Sequence, residues 1–176
     1  MVEKTEMKMK ICLVGDGGVG KTSLIRKYVL NEFDDRYLFT LGTNVSKKEI
    51  TLPGGGGQPV TVHMMIWDIM GQKDLAKLFT EQYFKGANAG IAVCDCTEDK
   101  TLDGLLEWID GMRGAAGQVP IIILANKVDL VDHKKIDDDR LKEIAEGYGA
   151  SYYFSSAKTG ENVEKTFMEL AREFVM

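Results

Sequence analysis

The sequence is poor in the features that would mark a secreted, membrane-spanning or nucleic-acid-wrapping protein. It has three cysteines, Cys12, Cys94 and Cys96, all inside apolar strand-like runs where a free thiol behaves as a small hydrophobe, so no disulfide is implied. Cys94 and Cys96 form a C-x-C with no second ligand pair nearby, and alternate residues of a strand read as core packing rather than a zinc site. No apolar run approaches the length of a membrane span; "PIIILA" at 120–125 is among the longest, and the N-terminal "MVEKTEMKMK" has no apolar signal segment. There is no basic excess: 22 Lys and Arg stand against 27 Asp and Glu, a net charge of -5, which gives no field for wrapping nucleic acid. No cysteine stands near the C-terminus and the chain begins Met-Val, so neither prenylation nor myristoylation is written in it. The expectation is a cytoplasmic protein with no direct membrane anchor and no lipid-anchor tail.

What is present is ordinary globular material, 44% hydrophobic and 28% charged over 176 residues, enough for one domain spanning 1–176 with a core that needs neither disulfides nor metal. Apolar β-rich runs recur at 10–14, 60–67, 90–96, 121–125 and 151–154, mostly separated by stretches with helical periodicity at 21–30, 74–84, 102–113, 138–148 and 163–175. That alternation predicts an α/β fold, a largely parallel sheet with helices on both faces. Between 45–52 and 60–66 there is only "PGGGGQP", which joins antiparallel neighbours, so one hairpin with an antiparallel edge strand is expected. The four glycines lead into no helix and read as a flexible surface tip rather than a phosphate loop.

"GDGGVGKT", Gly15 to Thr22, fits G-x-x-x-x-G-K-[ST] after the strand "KICLV" and before a helix. Glycines at this junction let successive backbone N–H groups converge on phosphate oxygens, the helix points its positive end at the same place, Lys21 adds a point charge for the β- and γ-phosphates, and Thr22 offers a hydroxyl to Mg²⁺. A phosphate cradle alone leaves the base open, and a P-loop kinase open with it. "NKVD", Asn126 to Asp129, follows the strand "IIILA" and would lie at the same carboxyl edge of the sheet. An Asp there accepts from guanine N1–H and the exocyclic amino group, a pairing adenine cannot supply; a polar site left unpaired rejects the wrong partner by roughly 10⁴-fold. "SAK", Ser156 to Lys158, again follows a strand and offers the Ala157 N–H to guanine O6.

With "GDGGVGKT", Thr40 in "FTLG", "WDIMGQ" at 67–72, "NKVD" and "SAK" in chain order, the sequence resembles a Ras-superfamily small GTPase from residue 10 to residue 175. "YFKGA" at 83–87 and "SAKTGENV" at 156–163 resemble Rab-like and Ras-like members, while "LGTNVSKKEI" and "WDIMGQKD" are similar to the small GTPases of archaea. The resemblance implies a P-loop NTPase G domain: a six-stranded, mostly parallel sheet with one antiparallel edge strand and about five helices. It implies GTP or GDP as bound nucleotide, Mg²⁺ as cofactor, a switch I at about 33–44 and a switch II at about 68–84. It further implies that effector, exchange-factor and GTPase-activating proteins act through these switches on a monomer.

The same resemblance assigns roles. Nucleotide contacts fall to Asp16, Gly17, Gly18, Val19, Gly20, Lys21, Thr22, Ser23, Phe33, Tyr37, Thr40, Gly71, Asn126, Lys127, Asp129, Ser156, Ala157 and Lys158. Thr22, Thr40 and Asp68 would hold Mg²⁺. Gln72, Lys21 and Thr40 are the catalytic set, with Gln72 orienting the attacking water, and Phe33 either packs on guanine or closes on the core. Gly17 sits where a larger residue would crowd Gln72. Arg36 is the nearest internal candidate for a transition-state cation, although a solvated loop arginine is the commoner fate; an arginine supplied by a partner would add roughly 10³ to 10⁵ in rate, so turnover alone is expected to be slow.

Ile69 and Met70 depart from the Thr and Ala that most Ras and Rab proteins carry there. Met70 either hinders switch II or fills a gap, being unbranched and adaptable. The first alternative leads to a nucleotide-binding interaction module with little or no hydrolysis. Leu38, Phe39, Leu41, Trp67, Leu75, Leu78, Phe79 and Tyr83 divide between core and an effector surface, and Val45 replaces the aromatic that Rab proteins usually carry. A phosphotransferase acting on a small substrate is the remaining rival, opposed by "NKVD" and "SAK" and by the lack of a lid-like insertion.

Overall fold

A computed structural model describes residues 5–37 and 39–176. Leu38, named above among the apolar groups, lies outside the described residues. The chain runs β1 (Thr5–Val14), α1 (Lys21–Leu30), β2 (Thr43–Pro53), β3 (Pro59–Ile69), α2 (Lys73–Lys77), α3 (Thr80–Phe84), β4 (Ala89–Asp95), α4 (Asp99–Ala116), β5 (Ile121–Asn126), a 3₁₀ turn (Val131–His133), α5 (Asp138–Tyr148), β6 (Ser151–Phe154) and α6 (Val163–Val175). One six-stranded sheet has the order β2-β3-β1-β4-β5-β6. Among the described residues only β2 and β3 pair antiparallel, through the glycine-tipped hairpin, and β2 forms one edge of the sheet, with β6 at the other. The chain winds one way from β1 and the other way from β4, so the carboxyl ends of these two strands flank the crevice where ligands of open α/β sheets bind.

β4, β5 and the inner half of β1 bury both faces, which is why their sequences read as near-continuous apolar runs. On one face Met9, Ile11, Leu13, Val62, Met64 and Ile91 meet α1 and α6, where the Tyr28 and Phe167 rings stack 4.0 Å apart. On the other, Cys12, Val14, Cys94, Ile123 and Ala125 meet Leu102, Leu105, Ile109 and Met112 of α4 and Leu141 of α5.

Two elements differ from expectation. β1 begins at Thr5 rather than Lys10, because its outer half alternates exposed and inward residues along the length of β3. The helix expected over 74–84 is two short ones. Leu78 and Phe79 donate back three residues rather than four, Phe79 leaves the helical region at φ -125, and the Thr80 hydroxyl takes over the carbonyls of Ala76 and Lys77. Six α-helices therefore stand among the described residues where about five were expected.

Candidate functional site

A cavity of about 300 Å³ opens at the carboxyl edge of the sheet. Its floor is the loop from Gly15 to Gly20. Gly15 has φ +144 and a Cβ there would stand 2.2 Å from the Val93 carbonyl; Gly20 has φ +102 and a Cβ there would stand 2.3 Å from Asn126 Nδ2. Neither position tolerates a side chain, and the backbone passes close under the cavity as a phosphate cradle requires. α1 starts at Lys21 with no side-chain cap, so the N–H groups of its first turn face this space. Lys21 is buried and donates to the Gly15 and Asp16 carbonyls at 2.7 and 3.0 Å. Burial pushes its ammonium down to about 8, opposed by the Asp68 and then the Asp16 carboxylate.

Three residues from three elements meet beside Lys21. Thr22 Oγ1 donates to Asp68 Oδ2 at 2.5 Å and lies 3.0 Å from Thr40 Oγ1. Thr43, at the start of β2, donates to the Asp68 carbonyl at 2.9 Å and fixes the end of β3. Burial raises the Asp68 pKa, with the Thr22 hydroxyl and Lys21 pulling the other way. Asp68 Oδ1 is buried and has no hydrogen-bond partner among the described residues. A buried carboxylate with an orphaned oxygen beside two hydroxyls is a set of hard oxygen donors, and it fits Mg²⁺, which binds through one or two carboxylates and completes its shell with water and phosphate oxygens.

At the other end of the cavity Asn126 joins three loops. Its Nδ2 donates to the Val19 carbonyl at 3.0 Å, and its Oδ1 accepts from the Ala157 N–H and the Ser155 hydroxyl, both at 3.3 Å. Lys127 adopts φ +69 and pairs with Asp95 at 2.7 Å. Asp129 accepts the Ser156 hydroxyl at 2.6 Å, and Ser156 accepts from the Thr159 N–H, so the carboxylate is held facing the cavity wall formed by Phe33, Lys127, Leu130 and Lys158.

The remaining wall is formed by Gly17, Gly18, Tyr37, Gly71 and Gln72. Gly71 lies directly on the loop: a Cβ there would stand 2.3 Å from the Gly17 nitrogen. A Cβ on Gly17 itself would only touch Tyr37 Oη at 3.5 Å and Gln72 Nε2 at 3.7 Å, so anything longer would displace the Gln72 amide. Gln72 Oε1 is buried without a partner among the described residues. Met70 is turned into the core with Ile69, so it fills space there and leaves the cavity wall to its neighbours. Arg36 also reaches the rim, but its guanidinium is engaged by both oxygens of Asp34.

Three expected contact residues present no side chain to the cavity: Val19 points into the core, Ser156 is spent on Asp129, and Asp16 turns toward α4, where it accepts from Trp108 Nε1 at 2.9 Å. What they offer a ligand is backbone. Sequence reasoning missed Arg26, Asp34, Asp35 and Leu130 on the wall, because none of the motifs includes them.

A model of the Ras family matches residues 10–176. The chain is 33% identical over 174 residues to the Ras-related protein Rab-1D of Dictyostelium discoideum, covering 98% of this chain and 82% of that one. It is 34% identical over 174 residues to the GTP-binding nuclear protein GSP1 of Encephalitozoon cuniculi, covering 98% and 79%, and 31% identical over 176 residues to human Ras-related protein Rab-8B, covering 99% and 82%. A nucleotide-sized cavity floored by a glycine loop and this match together define a small GTPase. The chain belongs to the Ras family, whose members bind GTP and GDP and hydrolyse GTP.

Proposed function

We propose that this protein is a GTP-driven molecular switch that hydrolyses GTP slowly by itself and presents its switch segments, about 33–44 and 68–84, to effector proteins while GTP is bound. The observation that carries this reading is the meeting of Thr22, Thr40 and Asp68 beside Lys21. Thr40 belongs to the loop between α1 and β2 and Asp68 to the strand that leads into α2, so one small cluster couples both segments to the phosphate end of the cavity. Mg²⁺ held by Thr22, Thr40 and Asp68 would neutralise charge that builds on the phosphoryl oxygens. Lys21, the N–H groups of the Gly15–Gly20 loop and the first turn of α1 bind and orient the β- and γ-phosphates. Gly71 N–H senses the γ-phosphate, and Gln72 orients the attacking water with the amide oxygen that has no protein partner. Asp129, Ala157 and Asn126 read guanine, and Phe33 covers its face.

Phe39, Leu41, Leu75 and Leu78 are each about half exposed or more, while Trp67 and Tyr83 are half-buried against the core. The first group forms an apolar surface on the two segments that the γ-phosphate orders, which suits an effector face. Exchange and activating proteins would work on the same segments, the latter supplying the arginine that Arg36, bound to Asp34, does not. With Met70 in the core, nothing at the wall favours the non-hydrolysing alternative.

The test is a single-turnover assay on protein loaded with Mg²⁺ and GTP, with ATP and a Gln72→Ala variant in parallel. Slow conversion of GTP alone, reduced about ten-fold or more by the substitution, is expected. Equal use of ATP, or full activity of the variant, would refute the reading.

A further inference from the structure

The first turn of α2 is tied to the phosphate loop and to α4 by ion pairs that the nucleotide cavity does not use. Lys73 Nζ lies 3.5 Å from Asp16 Oδ1 and 3.4 Å from Glu107 Oε2. Lys77, one turn further along α2, pairs with the other oxygen of Glu107. Asp16 is itself oriented by the Trp108 indole N–H, 92 residues away in sequence. The space for this meeting is made by Gly104: a Cβ there would stand 2.6 Å from Asp16 Oδ2 and 3.0 Å from Lys73 Nζ. A glycine inside an 18-residue helix is destabilising relative to alanine, and here it has a packing reason.

α2 has five residues, too few to hold itself, since a first helical turn costs more order than its hydrogen bond returns. Its orientation must come from outside. Ala76 supplies a buried contact, and the two lysines supply the rest. Gln72 stands immediately before this turn, and its carbonyl accepts the Ala76 N–H at 2.9 Å as the first bond of α2. Whatever fixes the turn therefore fixes the backbone from which the Gln72 amide reaches over Gly17.

We propose that Lys73 is a positioning residue for GTP hydrolysis: gripped by Asp16 and Glu107, it clamps the first turn of α2 to the phosphate loop and α4 and so holds Gln72 in place. The proposal rests on the reading of Gln72 given above. An isolated pair on an open surface would have little effect, but Lys73 is only 27% exposed in its side chain, meets two carboxylates, and meets one that a tryptophan already orients.

The experiment measures single-turnover GTP hydrolysis and GDP affinity for the full chain and five variants: Lys73→Met, Lys73→Arg, Glu107→Gln, Gln72→Ala and the Gln72→Ala/Lys73→Met double variant. Lys73→Met is expected to slow hydrolysis about five-fold while GDP affinity stays within about two-fold. Lys73→Arg, which keeps the charge and reaches both carboxylates, should recover most of the rate. In the Gln72→Ala background Lys73→Met should have no further effect, a coupling that a merely structural lysine would not show. Glu107→Gln, on the exposed side of α4, should slow hydrolysis in the same direction and guards against a folding defect in Lys73→Met. A wild-type rate for Lys73→Met, or the same fold-loss with and without Gln72, overturns the proposal while leaving the Gln72 reading intact. A wild-type rate for Gln72→Ala overturns both.

Discussion

The two ends of the cavity are built differently. The base end and the phosphate loop are bonded to each other: Asn126 alone spans the Val19 carbonyl, the Ala157 N–H and the Ser155 hydroxyl, and Lys21, Asn126, Ser155 and Ser156 are all buried. Among the described residues, the loop between α1 and β2 is held by few bonds. Thr40 meets Thr22, Gly42 accepts from Met70, Glu32 reaches Arg26, and the bidentate pair of Asp34 with Arg36 is internal to the loop. Under the proposed function the difference separates two tasks. Affinity and base choice would come from a region whose hydrogen bonds are already made, so little order is lost on binding. Signalling would fall to a region of low local stability, where a single added γ-phosphate contact decides the conformation.

The comparison breaks most completely if the rigid end is damaged. Gly20→Ala forces a Cβ to within 2.3 Å of Asn126 Nδ2 at φ +102, so the loss should be about 3 kcal/mol of stability and about 100-fold in GDP affinity. Thermal denaturation and titration with a fluorescent nucleotide read the two effects. Unchanged affinity would mean that the Asn126 junction is not part of the binding apparatus. A middle-sized effect sharpens the comparison from the other side: Thr40→Ala should slow hydrolysis about ten-fold or more yet leave GDP affinity within about three-fold, because its hydroxyl is offered from the loosely held loop. Loss of GDP binding on that substitution would place the loop in the rigid part. The smallest effect is expected for Leu41→Ser. Leu41 is 83% exposed, so stability should stay within about 0.5 kcal/mol in a denaturant titration, and a larger drop would show a packing role for the loop.

The legibility of these regions in the sequence follows the same division. The glycine loop, "NKVD" and "SAK" could be read because each sits at a strand end and its spacing is dictated by backbone geometry. The largely parallel sheet and its antiparallel edge followed from alternation and from a hairpin with no helix in it. The unread parts depend on contacts between residues far apart in the chain. Asp16 was expected among the nucleotide contacts, yet its carboxylate serves Trp108 and Lys73, and only the odd pairing of Trp108 with Gly104 on one helix hinted at it. The break of the expected 74–84 helix at Phe79 was hidden for a local reason: its residues have ordinary helical pattern, and the Thr80 hydroxyl competes with the backbone for carbonyls three and four residues back. The outer half of β1 shows in the alternation of "TEMKMK", but polar residues dominate its composition and mask the strand signal.

The most direct test of the division between a fixed binding end and responsive switch segments is amide hydrogen exchange, comparing the protein bound to GDP with the protein bound to a non-hydrolysable GTP analogue. The account predicts added protection confined to about 33–44 and 68–84, with 15–24, 126–129 and 155–158 equally protected in both states. Equal exchange of all segments in the two states, or a difference centred on the phosphate loop and the guanine-reading loops, would contradict it.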